Sequence, residues 1–156
     1  MDINGKIDWS FKTFDELSAK EVYELLLLRS RVFVVEQQCI FLDMDRLDHK
    51  AHHLMGYLDD TLVAYTRILP MGVAYADHPS IGRVVTAPEV RGRAVGRELM
   101  MGSIARLRAL YGNVAIKIGA QLYLKGFYNS LGFEQSGDMY LEDGIPHIPM
   151  VLPAGA

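Results

Sequence analysis

The chain has 156 residues, half of them apolar and 22% charged, which is the make-up of a soluble globular protein with one core. A formal net charge of −3 argues against a nucleic-acid partner, whose binding leans on a basic surface, and is compatible with a cationic small molecule. The single cysteine, Cys39, excludes an internal disulfide and fits a reducing cytoplasm. Residues 1–5 carry no secretory signal. The most apolar stretch, 25–35, is cut by Arg29 and Arg31 and is too short to span a bilayer, so no membrane partner is expected. No repeat or long linker divides residues 1–156, and a single domain is expected.

In chain order, residues 7–14 read as a strand, with Ile7, Trp9 and Phe11 alternating with polar neighbours. Ser18 stands three residues before Glu21, the pattern of a capping box, and a helix is predicted over 18–35. Residues 37–49 have no period and read as a long loop carrying Asp43, Asp45 and Asp48. Residues 52–58 and 62–69 read as two strands around an Asp59-Asp60 turn, and 81–86 as another strand. A second helix is predicted over 96–111, with Leu99, Met100, Ile104, Leu107 and Leu110 on its apolar face and Gly112 as its stop. A strand at 114–120, a helix at 122–131 ending at Gly132, and strands at 133–140 and 147–152 complete the reading, with a frayed tail over 152–156. Strands and helices mix without strict alternation, so a mixed α/β sheet covered by helices is expected.

The segment Arg91-Gly92-Arg93-Ala94-Val95-Gly96 lies between the strand at 81–86 and the helix at 96–111. Small residues there let backbone N–H groups approach an anion, the helix dipole adds partial positive charge, and the arginines add full charge. Neither Gly-x-x-x-x-Gly-Lys-Ser/Thr nor Gly-x-Gly-x-x-Gly is present, so this is neither a Walker loop nor a Rossmann fingerprint. The segment resembles the pyrophosphate loop of GNAT N-acetyltransferases, Arg/Gln-x-x-Gly-x-Gly/Ala. Arg91 and Gly96 fit, whereas Ala94 stands where glycine is usual, and its methyl group narrows the backbone angles or crowds a phosphate. Phe127-Tyr128-Asn129-Ser130-Leu131-Gly132-Phe133 resembles the second GNAT hallmark, at the spacing that fold needs. Leu28-Arg29, Val32-Phe33-Val34-Val35-Glu36-Gln37, Gly119-Ala120-Gln121 and Glu142-Asp143-Gly144-Ile145-Pro146-His147 narrow the resemblance to the ElaA-like subgroup.

The resemblance implies a mixed, mostly antiparallel α/β sheet of six or seven strands flanked by helices, and acetyl transfer from acetyl-CoA, as cosubstrate, directly to an amine acceptor, without an enzyme nucleophile. No Gly-x-Ser-x-Gly elbow is present. It assigns the pyrophosphate to Arg91, Gly92, Arg93, Ala94, Val95, Gly96 and Arg97, and the pantetheine arm to the backbone of Val84, Val85 and Thr86. Gln121, Phe127 and Tyr128 join the cofactor-binding set. A backbone N–H, assigned to Val85, stabilises the oxyanion, and Tyr128 protonates the leaving thiolate, since an ordinary phenol stays protonated at neutral pH. Glu36, Asp43 and Asp45 border the acceptor side in this fold and would attract an ammonium group. By residue type His147, His52, His53 and Glu36 are candidate general bases. Neither the histidines nor Cys39 fall at metal-ligand spacing, so no metal is expected. Exposed sheet edges allow a homodimer. The alternative reading is a non-catalytic acyl-CoA-binding sensor or interaction module.

Overall fold

Strand β1 (Asp8–Thr13) is the first of eight strands among the described residues, 5–155, of this computed structural model. It pairs antiparallel with β2 (His52–Leu58), which turns at Asp59-Asp60 into β3 (Thr61–Leu69). Asp59 adopts φ 52°, the left-handed geometry that a two-residue hairpin turn needs. β3 pairs antiparallel with β4 (Ser80–Thr86). Beyond it lie β5 (Ile116–Gln121), β6 (Glu134–Gln135), β7 (Tyr140–Glu142) and β8 (Ile145–Leu152), in the order β1-β2-β3-β4-β5-β8-β6, with β7 also on β8. The β4–β5 pair is the parallel one.

The count exceeds the expected six or seven because residues 133–140 do not form one strand. The partner strand β8 carries Pro146 and Pro149, which have no N–H to donate. At Pro149 the ladder yields to a close approach of Gly137, where an added Cβ would lie 2.8 Å from the proline ring. The strand therefore divides into β6 and β7.

Helix α1 (Ala19–Arg29) starts at the expected capping box: the Glu21 N–H donates to Ser18 Oγ at 3.1 Å, and the Ser18 N–H to Glu21 Oε1 at 2.9 Å. The predicted helix over 18–35 does not stay α-helical. Residues Ser30–Glu36 form a π-helical stretch, in which the Gln37 N–H reaches back to Val32 C=O at 3.1 Å. A wider turn shifts the apolar face, and such stretches accompany functional sites. Helix α2 (Val95–Tyr111) packs Leu99, Met100 and Leu107 inward as expected, but Leu110 is exposed. Ser103 is buried instead, bonded to Thr66 Oγ1 at 2.7 Å and Leu99 C=O at 2.8 Å. After a 3-10 turn at Leu122–Leu124, helix α3 (Lys125–Ser130) is short. The tail is tied rather than frayed: Leu152 is buried and the Gly155 N–H donates to Asn113 Oδ1 at 2.9 Å. Residues 1–4 and 156, which the signal-peptide and tail readings include, lie outside the described residues.

Two apolar clusters form the core. One packs α1 and the start of α2 on β2–β4; the other packs the rest of α2, with α3, on β5 and β8. A cleft lies along the line where they meet.

Candidate active site

β4 and β5 share a single aligned pair, Ser80 with Lys117, and then part. The cause is local. Between the pairs Tyr65–Val85 and Arg67–Gly82, β4 holds two residues against one on β3, and the first of these, Arg83, sits at φ 49°. Such a bulge bends its strand and re-aims the residues beyond it. The parted strands open a cleft of about 1020 Å³, with Val84, Val85 and Thr86 on one wall and Ile118, Gly119 and Gln121 on the other.

At one end, the chain leaves β4 through a 3-10 turn at Pro88–Val90, passes Arg91, and enters α2 through Gly92 at φ 80° and Ala94 at φ 60°. The first N–H of this end to find a helical carbonyl is that of Glu98, on Ala94 C=O at 3.1 Å. The N–H groups of Val95, Gly96 and Arg97 precede it and have no partner within the helix. Arg91 spans Glu36 Oε2 at 2.5 Å and Thr86 C=O at 3.1 Å, and Arg97 donates to Ser130 Oγ at 3.2 Å. Val84, Val85, Thr86, Arg91, Gly92, Ala94, Val95, Gly96, Arg97, Gln121, Phe127 and Tyr128 thus line one cleft, while Arg93 lies behind it in the same loop.

Ladder alternation corrects the role expected of Val85. The Ala87 N–H donates to Val63 C=O on β3 at 2.8 Å. In a strand, N–H groups two residues apart face the same edge, so Val85 N–H also points into the β3 ladder. The N–H groups of Val84 and Thr86 face the opened, cleft-side edge.

Tyr128 is held by α3 between Phe127 and Phe133, edge-on to both at 5.1 and 5.9 Å between ring centroids. Burial pushes its phenol pKa up, with Tyr123 adding to the shift, so the group stays protonated at neutral pH. On the far wall β8 places His147 beside Gln121 of β5 and Tyr140 of β7. Its Nδ1 lies 2.7 Å from Ile145 C=O and its Nε2 3.4 Å from Glu142 Oε2.

The acidic loop is a correction. Asp43 is buried and accepts from Arg29 Nε at 2.8 Å and Arg83 Nε at 2.9 Å. Asp45 touches the cleft, but both its oxygens accept from Arg67, at 2.7 and 2.8 Å. Asp48 accepts from Arg29 at 2.7 Å and Arg67 at 3.1 Å. These carboxylates are spent on arginines and leave no net attraction for an ammonium group. Glu36 is similarly held by Arg91. His53 is no base either: its Nε2–H donates to Asp48 C=O at 2.9 Å and its Nδ1 accepts from the Tyr65 hydroxyl at 2.6 Å. His52, on the other face of β2, stacks on Phe11. Cys39 is buried, its Sγ 3.2 Å from Asp143 C=O.

Known proteins resemble this chain along nearly its whole length. The acetyltransferase (GNAT) domain matches residues 17–153. A UPF0039 protein of Synechocystis sp. is 41% identical over 148 residues, covering 94% of this chain and 96% of the relative. Protein ElaA of Escherichia coli is 40% identical over 146 residues, covering 92% and 95%. Its crystal structure superposes with a TM-score of 0.87 at 38% identity, over 94% of this chain and 99% of ElaA. An acyl-CoA N-acyltransferase from Pseudomonas aeruginosa gives a TM-score of 0.86 at 39% identity, over 92% and 98%. The chain belongs to the GNAT acetyltransferase family, in its ElaA-like branch.

In this GNAT chain several site features escaped the sequence. The bulge at Arg83 has no residue signature. The reciprocal amide pair Gln37–Gln121, at 3.1 and 3.2 Å, joins the π-helical end to β5 across the cleft. Its members are far apart in sequence. The Arg29 cluster did leave a signal: an arginine inside an apolar helix, followed by three aspartates, is the pattern of internal compensation. Among the described residues, no group of three or more His, Cys, Asp or Glu side chains could hold a metal ion. No helix among them is long and apolar enough to cross a membrane.

Proposed function

We propose that this GNAT acyltransferase moves the acetyl group of acetyl-CoA directly to a primary amine, with Tyr128 as the acid for the departing thiolate. The observation that carries the reading is one continuous cleft, which runs from the unpaired N–H groups at the start of α2, past the open edge of β4, to Tyr128. The residues present fit such a cosubstrate. Val95, Gly96 and Arg97 offer N–H donors at a helix start, Arg91 and Arg97 add charge, and the open β4 edge offers backbone partners to a pantetheine amide. The acyl-CoA N-acyltransferase from Pseudomonas aeruginosa, similar along nearly the whole chain, supports the same choice.

Bound acetyl-CoA supplies an activated thioester carbonyl. The chain's part is to bind, orient and move protons. Val84 N–H, on the cleft edge, takes the oxyanion role expected of Val85. One such aligned donor lowers the barrier by about 2.7–4 kcal/mol. Tyr128 gives its proton to the thiolate as the C–S bond breaks, and its aromatic neighbours fix the ring for that transfer.

The test is thiol release with an amine panel, alongside acetyl-CoA titration, for the parent and Tyr128→Phe. We expect turnover to fall by about 10²-fold with cofactor affinity within threefold of the parent. Equal turnover by both proteins removes Tyr128 from the chemistry. Tight acetyl-CoA binding without release on any amine favours the sensor.

A further inference from the structure

The end of the cleft opposite the arginine loop is built by two segments that meet at Cys39 and Asp143: the loop at 37–45 and the β7–β8 turn. Its charge inventory is short. Asp43 and Asp45 are matched to Arg29, Arg67 and Arg83. Glu142 and Asp143 are different: among the described residues neither meets a lysine or arginine, and Glu142, 58% exposed, has His147 as its one ion-pair partner. The rest of this wall is apolar, with Phe41, Leu42 and Ile145 lining the cleft and Ile40 fully exposed beside it.

His147 is set up as a base by one contact. A carbonyl oxygen only accepts, so Nδ1, 2.7 Å from Ile145 C=O, must carry the hydrogen. In the neutral ring the lone pair is then on Nε2, the atom turned towards Glu142. Tyr140 stacks on the ring at 5.7 Å and fixes its plane. The titratable groups around it are Tyr140 and Glu142 on β7, Asp143 in the turn and Cys39 in the loop, and of these Glu142 is within ion-pair reach.

We propose that this end takes a primary amine with a single positive charge and an apolar body, its nitrogen seated between Glu142 and His147, and that His147 Nε2 removes the ammonium proton. The inference rests on the transferase reading above. The proton passes from R–NH₃⁺ to Nε2, and the imidazolium formed is held by Glu142 until it releases the proton to solvent. The freed lone pair attacks the acetyl carbon, forming C–N as C–S breaks. The second proton lost by nitrogen passes to solvent, and the Tyr128 phenolate left by protonating the thiolate regains a proton from solvent, so that one proton is released per turnover. A polyamine is disfavoured because Phe41, Leu42 and Ile145, which line the cleft beyond the turn carboxylates, would strip water from its further ammonium groups without offering them a partner.

The experiment compares benzylamine with spermidine in thiol release, for the parent, Glu142→Gln and His147→Asn. The Asn amide can keep the bond to Ile145 C=O while lacking a base. The parent should show kcat/KM at least tenfold higher for benzylamine, and Glu142→Gln should raise the benzylamine KM several-fold. His147→Asn should lower kcat/KM by roughly 10²-fold at neutral pH with unchanged acetyl-CoA affinity. That deficit should close as the pH rises towards benzylamine's own deprotonation, which a merely structural defect would not do. A preference for spermidine, or a deficit that persists at high pH, overturns this proposal and leaves the transferase standing. No release from the parent with either amine, when acetyl-CoA binds, overturns both.

Discussion

Two arginine-rich regions of this chain have opposite fates. Arg29, Arg67 and Arg83 are matched to Asp43, Asp45 and Asp48 beneath the loop at 37–50, and Arg29 is fully buried. Arg91 and Arg97 stand half out of the cleft, with Arg91 touching one carboxylate at 41% exposure. The first set consumes its charge to hold a long loop on the sheet. In the second, Arg91 is tied to Glu36, whereas Arg97 meets only the Ser130 hydroxyl and stands beside the N–H groups that open α2. Charge in a sequence therefore does not mark a binding site; the proposed anion site rests on Arg97 and those backbone donors.

The sharpest way to break the first region is Arg29→Met. It leaves Asp43 and Asp48 buried without a main partner, and such losses typically destabilise by about 3–5 kcal/mol. Denaturant unfolding should show the midpoint falling while the slope stays constant. A loss under about 1 kcal/mol would mean the cluster is solvated and not structural.

The second region is broken by charge reversal without unfolding. An added Cβ at Gly96 meets only Phe127, at 3.9 Å, so Gly96→Ala should bind acetyl-CoA within about threefold of the parent. Gly96→Glu puts a carboxylate where the phosphates are proposed to sit. Like charges in contact cost several kcal/mol, and each 1.4 kcal/mol is tenfold, so the dissociation constant should rise by about 100-fold or more. Calorimetric titration of both variants decides the matter, and equal affinity would remove the loop from the cofactor site.

How much of this was legible in the sequence depends on the same divide. The Ser18–Glu21 box, the Asp59-Asp60 turn and the loop before α2 are local patterns, and each lies where its residues indicated. The opening of the cleft is not local: it depends on a bulge at Arg83 and on how β4 meets β5. The acidic loop misled because pairing of Asp43 with Arg83 spans 40 residues and leaves no periodic trace. The edge that Val85 N–H faces is likewise set by strand register, which residue types do not encode.

A smaller effect separates the regions by pH. Burial keeps His53 neutral and lowers its pKa below the ordinary 6.5. Burial alone would raise the Asp45 carboxyl, but bonds from Arg67 and the Leu47 N–H outweigh it and hold it at about 2, below the ordinary 3.8. Asp48 is lowered in the same way by Arg29. In both cases the unfolded chain binds more protons, so stability rises with pH. The unfolding midpoint should decline as pH drops below about 6.5 and again from about 4 towards 2. In Asp45→Asn the lower step should shrink, and an unaltered step would show that Asp45 is not its source.

The smallest expected effect tests the arginine loop's one departure from its family. Ala94 holds the left-handed conformation at φ 60° that glycine adopts freely. For an alanine this geometry costs about 1–2 kcal/mol. Ala94→Gly removes that strain but loosens the unfolded chain, which offsets roughly 0.4–1 kcal/mol. The net should be a gain of about 0.5 kcal/mol, or about 1–2 °C in Tm for a domain of this size. Since Ala94 already holds the turn into α2, acetyl-CoA affinity should change by less than threefold. A tenfold gain in affinity would instead show that the methyl group crowds the phosphates, and that this chain gives up cofactor binding at the position where glycine is usual.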